Sequence, residues 1–439
     1  MRSHPRAGLL AAVLVLLAGS GCSYALIQRG ELRRSAFDAV LERTMAARGL
    51  YVDAPPQVEV ATPESLVGVL EQALDRFYTP EMLSDYQAGL VAVGLWPPER
   101  DLRAEFVSVF SGEVAGLYVP ALETIYVVAG APRPLSVRLW SFLSRRDLLG
   151  EFVLSHEIVH LLQHRAYPEL LDPTHQPLDQ DDLDNAIQAA IEGDALRYGY
   201  EAIGLTMEGL SGAGFAEAFE GDLAADASDE LRDAPALLRL TLLFPYVAGF
   251  PLSLAEGRAL LDRPPASTEQ ALHGSRRYEP FFAFDLRPLR SQLPDGCEFV
   301  HENTLGELHL SVLFRDLGDV QAGQAEPPSP EDWYGWDGDR YLAARCASGL
   351  EFVWLTAWDD ERDAEQFRAA YSQIAVAVAR RAGHAAPPEA RRNGREVVVT
   401  SAGLGVFAER VATLAVRRRV SEADELRAFY QEPEIRAAR

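Results

Sequence analysis

The chain of 439 residues contains no lysine, so its 41 basic residues are all arginine, and they face 65 aspartates and glutamates. The formal net charge is −24 at pH 7. Nucleic-acid binding needs a basic surface that neutralises phosphates, and attraction to anionic lipid needs a basic segment. The sequence has no arginine-rich block. We therefore expect no nucleic-acid partner and no attachment to a membrane by charge.

Long hydrophobic runs are scarce as well. The first one, residues 7–18, follows Arg2 and Arg6 and is too short to span a bilayer comfortably, which is typical of a secretory signal peptide. No later segment offers 18 apolar residues without a charge. Any membrane anchor is therefore expected at the N-terminal end.

The segment that ends at Cys22 resembles the cleavage box of bacterial lipoproteins, although Gly19 stands where an aliphatic residue is usual. We expect a signal peptide over residues 1–21, lipidation of Cys22 and a tether over residues 22–30. An ordinary signal peptide with an incidental cysteine is the alternative. The lipoprotein interpretation predicts an exported bacterial protein in the cell envelope, anchored in the outer membrane and facing the periplasm.

Only three cysteines are present, and Cys22 is assigned to the anchor. The other two, Cys297 and Cys346, belong to a chain that is expected in an oxidising compartment. A single structural disulfide is usual in that situation, so we predict that they pair. Two buried free thiols are the alternative.

Hydrophobic residues make up 48% of the chain, which gives room for two or three domains with large cores. Alternating patterns predict strands, and helical periodicity predicts helices. The predicted strands lie at 57–61, 113–119, 124–128, 350–355 and 396–400, and the predicted helices at 148–164, 363–381 and 406–416. This mixture predicts an α+β fold. We place one domain over residues 31–290 and a smaller α/β domain over residues 291–439, with a linker-like loop at 321–330.

The decisive pattern is His156-Glu157-Ile158-Val159-His160 in the predicted helix 148–164. Residues four apart lie on one helical face, so both imidazoles can reach one ion. Zinc held in this way lowers the pKa of its bound water, and the adjacent Glu157 can take the proton. The alternative is a pair of core histidines bonded to the backbone, beside a solvated glutamate.

A catalytic zinc ion keeps three protein ligands and one open position. The best candidate for the third ligand is Glu192, in Ile191-Glu192-Gly193-Asp194-Ala195, on a second helical segment 32 residues after His160. The alternative is that Glu192 belongs to a solvated acidic face, because acidic residues dominate between residues 169 and 233. A calcium site formed by Asp181, Asp182 and Asp184 is also conceivable there, but a glycine-bearing loop of the expected spacing is missing.

Several motifs in a fixed order resemble a family of bacterial exported proteins with a gluzincin-like zinc peptidase core. They run along most of the chain from about residue 35. The motifs are Gly116 to Pro120, His156 to Gln163, Glu192 to Ala195, Ser267 to His273, Gly335 to Arg340 and Trp358 to Phe367. His164 and Val119 depart from the family pattern, and neither is a ligand position.

The resemblance implies that His156, His160 and Glu192 bind one Zn²⁺ per chain and that Glu157 is the general base. His273 and Tyr278 are candidates for binding the oxyanion, with a loop that braces the active-site helix as the alternative. By analogy with zincins, the hairpin that ends in Tyr126-Val127-Val128 offers an edge strand just before the zinc helix, and extended peptide is expected to bind along it.

The predicted function is therefore that of a membrane-tethered zinc metallopeptidase with a zincin core, which hydrolyses peptide bonds of a peptide or protein substrate. A zinc-dependent amidase or cell-wall hydrolase could use the same ligands. A rival from another class is a binding lipoprotein with an idle zinc site. The intact Glu157 argues against that rival, because a structural site has no use for a base and is normally closed by a fourth protein ligand.

Overall fold

The computed structural model describes residues 25–129, 141, 144–171, 179–205, 228–318 and 329–431. The predicted signal peptide over residues 1–21 and the lipidation site Cys22 lie outside the described residues. Most of the linker-like loop at 321–330 does so too.

The described chain is α+β, as predicted. The strands are β1 (Ile27–Gln28), β2 (Glu31–Leu32), β3 (Gln57–Ala61), β4 (Gly116–Val119), β5 (Thr124–Val128), β6 (Phe281–Asp285), β7 (Glu298–Asn303), β8 (Trp336–Cys346), β9 (Gly349–Trp358), β10 (Glu389–Asn393), β11 (Glu396–Thr400) and β12 (Val416–Val420). The α-helices are α1 (Arg34–Arg48), α2 (Pro63–Phe77), α3 (Pro80–Ala92), α4 (Leu102–Glu113), α5 (Leu148–Ala166), α6 (Pro168–Leu171), α7 (Asp181–Ile203), α8 (Asp229–Asp233), α9 (Ala236–Glu256), α10 (Thr268–Leu272), α11 (Arg287–Arg290), α12 (Gly306–Gly318), α13 (Glu361–Ala382), α14 (Val411–Leu414) and α15 (Ala423–Gln431).

The chain forms two compact units, and each is built from several stretches of sequence. Unit 1 comprises Met1–Ala73, Glu113–Leu171 and Asp194–Leu210, and unit 2 comprises Leu74–Gly112, Asp172–Gly193 and Ser211–Arg439. The expected domain boundary at residue 290 does not coincide with this division. Strands β6 and β12, which lie on either side of that boundary, pair with each other inside unit 2.

The sheet of unit 1 has the order β3-β5-β4, with β3 parallel to β5 and β4 antiparallel to it. The predicted hairpin is confirmed, but the predicted edge is wrong. Tyr126-Val127-Val128 belongs to β5, which is the central strand because β3 pairs along its other side, from Gln57 opposite Thr124 to Ala61 opposite Val128. The edge strand of the hairpin is β4.

Helix α5 is held against this sheet by its apolar face. Leu154, Ile158 and Leu161 are almost fully buried, and they share one core with Phe37 of α1 and Ile125 of β5. At roughly 2 kcal/mol for each fully buried large aliphatic side chain, this contact fixes the rotation of α5 about its axis. The helix therefore presents its polar residues in a defined direction.

Unit 2 contains an antiparallel five-stranded sheet in the order β10-β11-β9-β8-β7. A disulfide joins Cys297, just before β7, to Cys346 at the end of β8, with the two Cα atoms 4.1 Å apart. The predicted pairing is confirmed. The antiparallel register of β7 and β8, which places Glu298 opposite Arg345, brings the two cysteines together.

The predicted helix at 406–416 is wrong. A 3₁₀-helix covers Ala402–Phe407, α14 covers only Val411–Leu414, and β12 begins at Val416. Strand β12 pairs with β6 from Val416 opposite Asp285 to Val420 opposite Phe281. A pairing with a strand more than 130 residues away outweighed local helix propensity, which is a weak guide over so short a segment.

Helix α9 is rich in apolar residues. By length and composition alone, Ala236–Ala259 is long and apolar enough to cross a membrane, and 44% of its most apolar stretch is buried. Core helices of soluble proteins have the same character. Within unit 2, α9 crosses α7 at close range. A Cβ atom on Gly193 would lie only 2.0 Å from the carbonyl oxygen of Gly249, so glycine at position 193 makes this approach possible.

Candidate metal centre

Helix α5 carries the two histidines of the predicted zinc motif one turn apart. Asp147 caps its first turn, since the carboxylate accepts the backbone N–H of Gly150. The Nε2 atoms of His156 and His160 lie 3.0 Å apart. These two imidazoles and the Glu192 carboxylate form a group whose ligand atoms all lie within 4.8 Å of one another. The structure thus brings together the three predicted ligands.

Helix α7 positions Glu192. It is continuous from Asp181 to Ile203, although the division between the two units falls inside it, after Gly193. The second half of α7 belongs to unit 1 and packs on α5, where a Cβ atom on Gly199 would lie 3.6 Å from the Cα atom of His156. Glu192 lies two residues before that half begins, so the helix itself carries its carboxylate to the histidines.

A chain of hydrogen bonds fixes the tautomer of His160. Gln163 donates from Nε2 to Asp194 at 2.9 Å, so its amide oxygen faces His160 Nδ1, which lies 2.9 Å away. Because that oxygen can only accept, Nδ1 carries the proton and Nε2 carries the lone pair that binds a metal. Arg48 in turn donates to Asp194 at 2.8 Å, and both side chains are buried. This outer arrangement is typical of histidine ligands.

The motif Glu192-Gly193-Asp194-Ala195 has a separate physical role at each position. Glu192 is a member of the ligand cluster, and Gly193 permits the close crossing of α7 and α9. Asp194 orients Gln163, and Ala195 packs in a small cluster with Val159 of α5. Sequence reasoning selected only Glu192, because the other roles depend on neighbours from distant parts of the chain.

Glu157 is buried and lies beside the ligand cluster without being a member of it. Its Oε2 atom accepts the backbone N–H of Tyr118 at 2.7 Å, so edge strand β4 holds the carboxylate. Strand β4 approaches α5 so closely that a Cβ atom on Gly116 would lie 2.6 Å from Val153 and 3.0 Å from Glu157. Glycine is required at this position for that reason.

The two predicted oxyanion candidates have other described contacts. His273 Nε2 lies 2.9 Å from the carboxylate of Glu307, and its ring meets Tyr334 edge-on. Tyr278 is 47% exposed, and its hydroxyl lies 3.4 Å from Glu256. Neither residue is a member of the described ligand cluster. The catalytic role of His273 and Tyr278 stays a prediction. Their described contacts, with Glu307 and Glu256, lie within unit 2.

Two of the three alternative calcium ligands, Asp181 and Asp182, have specific hydrogen-bond partners. Asp181 accepts the hydroxyl of Tyr86 at 2.7 Å, and Asp182 accepts the backbone N–H of Thr268 at 2.8 Å. Burial raises the pKa of Asp182 to about 7, although the bonds from Thr268 oppose the shift. These carboxylates act as hydrogen-bond acceptors inside unit 2.

Sequence reasoning did not identify Gln163, Asp194 and Arg48 as supports of the cluster, nor Tyr118 as the partner of Glu157. Gln163 and Asp194 lie within the quoted motifs, so their presence there was a usable signal. Arg48 gave no signal, because its pairing with Asp194 spans 146 residues.

Comparison with known proteins gives one match. Residues 295–425 match a family model described as "Domain of unknown function (DUF8575)". The match covers less than a third of the chain, includes the motif Gly335 to Arg340 and excludes all three members of the ligand cluster. No curated protein and no solved structure matches the chain.

Proposed function

We propose that the chain is a zinc-dependent peptidase with a zincin-like core, in which His156, His160 and Glu192 hold one metal ion and Glu157 is the general base. The observation that carries the proposal is the pair of Nε2 atoms 3.0 Å apart beside a carboxylate. Two imidazoles and one carboxylate are the ligand set of a class of catalytic zinc sites.

The donor chemistry of the cluster fits a metal. His160 presents a lone pair at Nε2, since its Nδ1 proton is engaged by Gln163. Imidazole nitrogens suit zinc, and one carboxylate completes a three-ligand set that leaves a position open. Zinc bound there supplies Lewis acidity, which lowers the pKa of bound water and polarises a carbonyl group.

Glu157 is the proton carrier of the proposed reaction. The Tyr118 N–H holds its carboxylate in one orientation next to His156, so no rearrangement is needed before it accepts a proton. The same carboxyl group then donates that proton to the nitrogen of the leaving amine. Burial of Glu157 keeps bulk water from competing for the proton.

Strand β4 is the proposed binding edge for an extended substrate. Its one described partner strand is β5, and Tyr118 directs its N–H to Glu157 rather than into that pairing. An extended peptide added along β4 would therefore lie next to the base. The predicted lipid anchor at Cys22 would hold this activity at a bacterial envelope membrane, and a periplasmic outer-membrane location is part of the proposal.

Metal loading and turnover together test the proposal. We expect about one zinc per chain by elemental analysis of the purified protein, and loss of zinc and activity with a chelator. Hydrolysis of a mixture of unstructured peptides, compared with purified cell wall, identifies the substrate class. Less than about a tenth of an equivalent of zinc after addition of excess zinc would contradict the ligand assignment. Full loading without cleavage of any peptide would contradict the peptidase assignment.

A further inference from the structure

Unit 2 contains a cavity of about 590 Å³. Pockets of this size accept a whole drug-sized ligand rather than one side chain. Its lining is mainly apolar and comes from helices α2, α3, α4, α7 and α9 together with β7 and α12. The large apolar side chains include Trp96, Phe106, Phe110, Leu238, Leu242 and Tyr246.

One wall of the cavity is a single face of α7. The lining residues of this helix are Asp181, Asp184, Asn185, Gln188 and Glu192. They stand at positions i, i+3, i+4, i+7 and i+11, which lie on one side of a helix over about 16 Å. Glu192, the third proposed metal ligand, stands at one end of this wall. A ligand in the cavity would therefore lie alongside the metal centre's carboxylate.

Helix α9 contributes a second part of the cavity lining. Leu238, Leu242 and Tyr246 are spaced by four residues, line the cavity and are only partly buried. Phe106 and Phe110 of α4 stack on each other with ring centres 4.1 Å apart and also face it. Apolar surface left in contact with water costs about 25 cal/mol for each Å². An apolar ligand removes that cost.

The polar groups of the cavity disfavour a charged ligand. Burial raises the pKa of Asp184 well above its ordinary value and lowers the pKa of His309 to about 4, so the surroundings penalise charge of either sign. His309 is 2% exposed and lines the cavity, and its Nδ1 lies 3.7 Å from the carboxylate of Asp181.

We propose that this cavity binds a long, uncharged apolar group of the substrate, directly beside the amide bond that is cleaved. Two sources share this chemistry: a fatty-acyl chain on the nitrogen of a peptide, and a run of large hydrophobic side chains. The cleavage part of the inference rests on the proposed peptidase function, and the binding part does not.

Binding is tested without turnover. The metal-free protein is titrated with the neutral fluorescent probe N-phenyl-1-naphthylamine, and one saturable site is expected. Gln188→Trp places a large ring at an exposed position of the lining. It should lower the affinity for the probe about ten-fold or more. Leu242→Trp tests the part of the lining that α9 contributes, and Leu240→Trp, on the same helix but not among the described lining residues, is the matched control. Equal affinity of wild type and both lining variants would overturn the proposal.

Turnover then distinguishes the two sources. The zinc-loaded protein is given one peptide with acetyl, hexanoyl or dodecanoyl groups at its N-terminus, and a second peptide series in which Ala-Ala is replaced by Leu-Leu or Phe-Phe. We expect kcat/KM to rise at least about ten-fold along one series, and the rise should disappear in Gln188→Trp. Equal cleavage throughout both series would overturn the inference and leave the peptidase function standing. Probe binding blocked by the tryptophans, without cleavage of any peptide, would refute the peptidase function and support the binding part alone.

Discussion

Two polar regions of the described residues differ in the way that their polar groups meet. In the loop and strand around Trp336–Arg340, unlike groups meet: Asp339 accepts the backbone N–H groups of Leu305 and Gly306 and the indole N–H groups of Trp336 and Trp354. In the ligand cluster, three metal-binding groups meet: the Nε2 atoms of His156 and His160 lie 3.0 Å apart, and the Glu192 carboxylate lies beside them.

On the proposed function, the first region is structural and the second carries the chemistry. Four donors around one carboxylate complete its hydrogen bonding, so Asp339 has no capacity for a ligand. Two imidazole nitrogens and a carboxylate are a set of metal ligands, and one cation bound among them would contact all three. Both regions are marked by quoted sequence motifs. The arrangement of partners, rather than the presence of a motif, indicates the chemistry.

The sharpest test of the chemical region is Glu157→Gln. The substitution keeps the size of the side chain and its ability to accept the Tyr118 N–H, but it removes the base. We expect hydrolysis to fall by about 10² to 10⁴ while zinc content stays at one equivalent. Glu42→Gln, on the exposed side of α1, is the control and should match wild type. Wild-type turnover in Glu157→Gln would contradict the mechanism.

The matching test of the structural region is Arg340→Met. Arg340 is fully buried, donates to Glu302 at 2.8 Å and pairs with Asp179, so its removal takes away the described arginine partner of Asp179 and leaves Glu302 with Arg290 alone. We expect the free energy of unfolding to fall by about 3–5 kcal/mol, measured by urea denaturation. Zinc affinity of the folded fraction should not change. Arg345→Met, exposed on the same strand, should unfold like wild type.

The sequence predicted local and short-range features of both regions well. The spacing of His156 and His160 required only the geometry of one helix, and the Cys297 to Cys346 pairing required only an oxidising compartment and two cysteines. The sequence-based prediction failed where a strand pairs with a segment that is distant in sequence. The central position of β5 depends on β3, and strand β12 depends on β6, so neither could be read from residues 124–128 or 406–416 alone.

The stability of the folded chain is expected to depend on pH through Asp182, a buried carboxyl group that interacts with Asp339 of the structural region. Its pKa is raised by burial to about 7, against about 3.9 in an unfolded chain. Between these values the folded protein holds a proton that the unfolded chain has lost, so the stability contributed by this group falls as the pH rises from about 4 to about 7.

Asp182→Asn should remove that dependence. An amide oxygen still accepts from Thr268, and no charge forms near Asp339 and Glu307. We expect the variant to be more stable than wild type at pH 8, by at most about 4 kcal/mol, with the difference vanishing toward pH 4. Thermal unfolding across this range measures it. Asp424→Asn, whose side chain is 94% exposed, is the control. A constant difference at all pH values would show that Asp182 does not titrate as described.

Gln163→Ala tests the support of the chemical region rather than its ligands. Without the amide, His160 loses the group that fixes its tautomer, and Asp194 loses one of its two described donors. Loss of such a partner typically lowers metal affinity by about 10- to 100-fold. Competition with a zinc indicator measures it, and Gln373→Ala, exposed on α13, is the control. Unchanged affinity would show that the hydrogen-bond chain is not needed to present His160.

The smallest effect is expected for His273→Gln, which decides to which of the two regions His273 belongs. Its described partners, Glu307 and Tyr334, place it with the structural motifs, since an imidazole and a carboxylate are unlike groups that complete each other. Glutamine can still donate to Glu307, so we expect kcat/KM to stay within about three-fold of wild type and stability to fall by about 1 kcal/mol. An oxyanion-binding group would behave differently, because removing one such donor costs about 10² to 10³ in kcat while KM changes little. Tyr278→Phe is the companion variant, since its exposed hydroxyl can be removed without disturbing a core. A loss of kcat of that size in His273→Gln, with normal zinc content and unfolding, would move His273 into the chemical region and restore the role that its motif predicted.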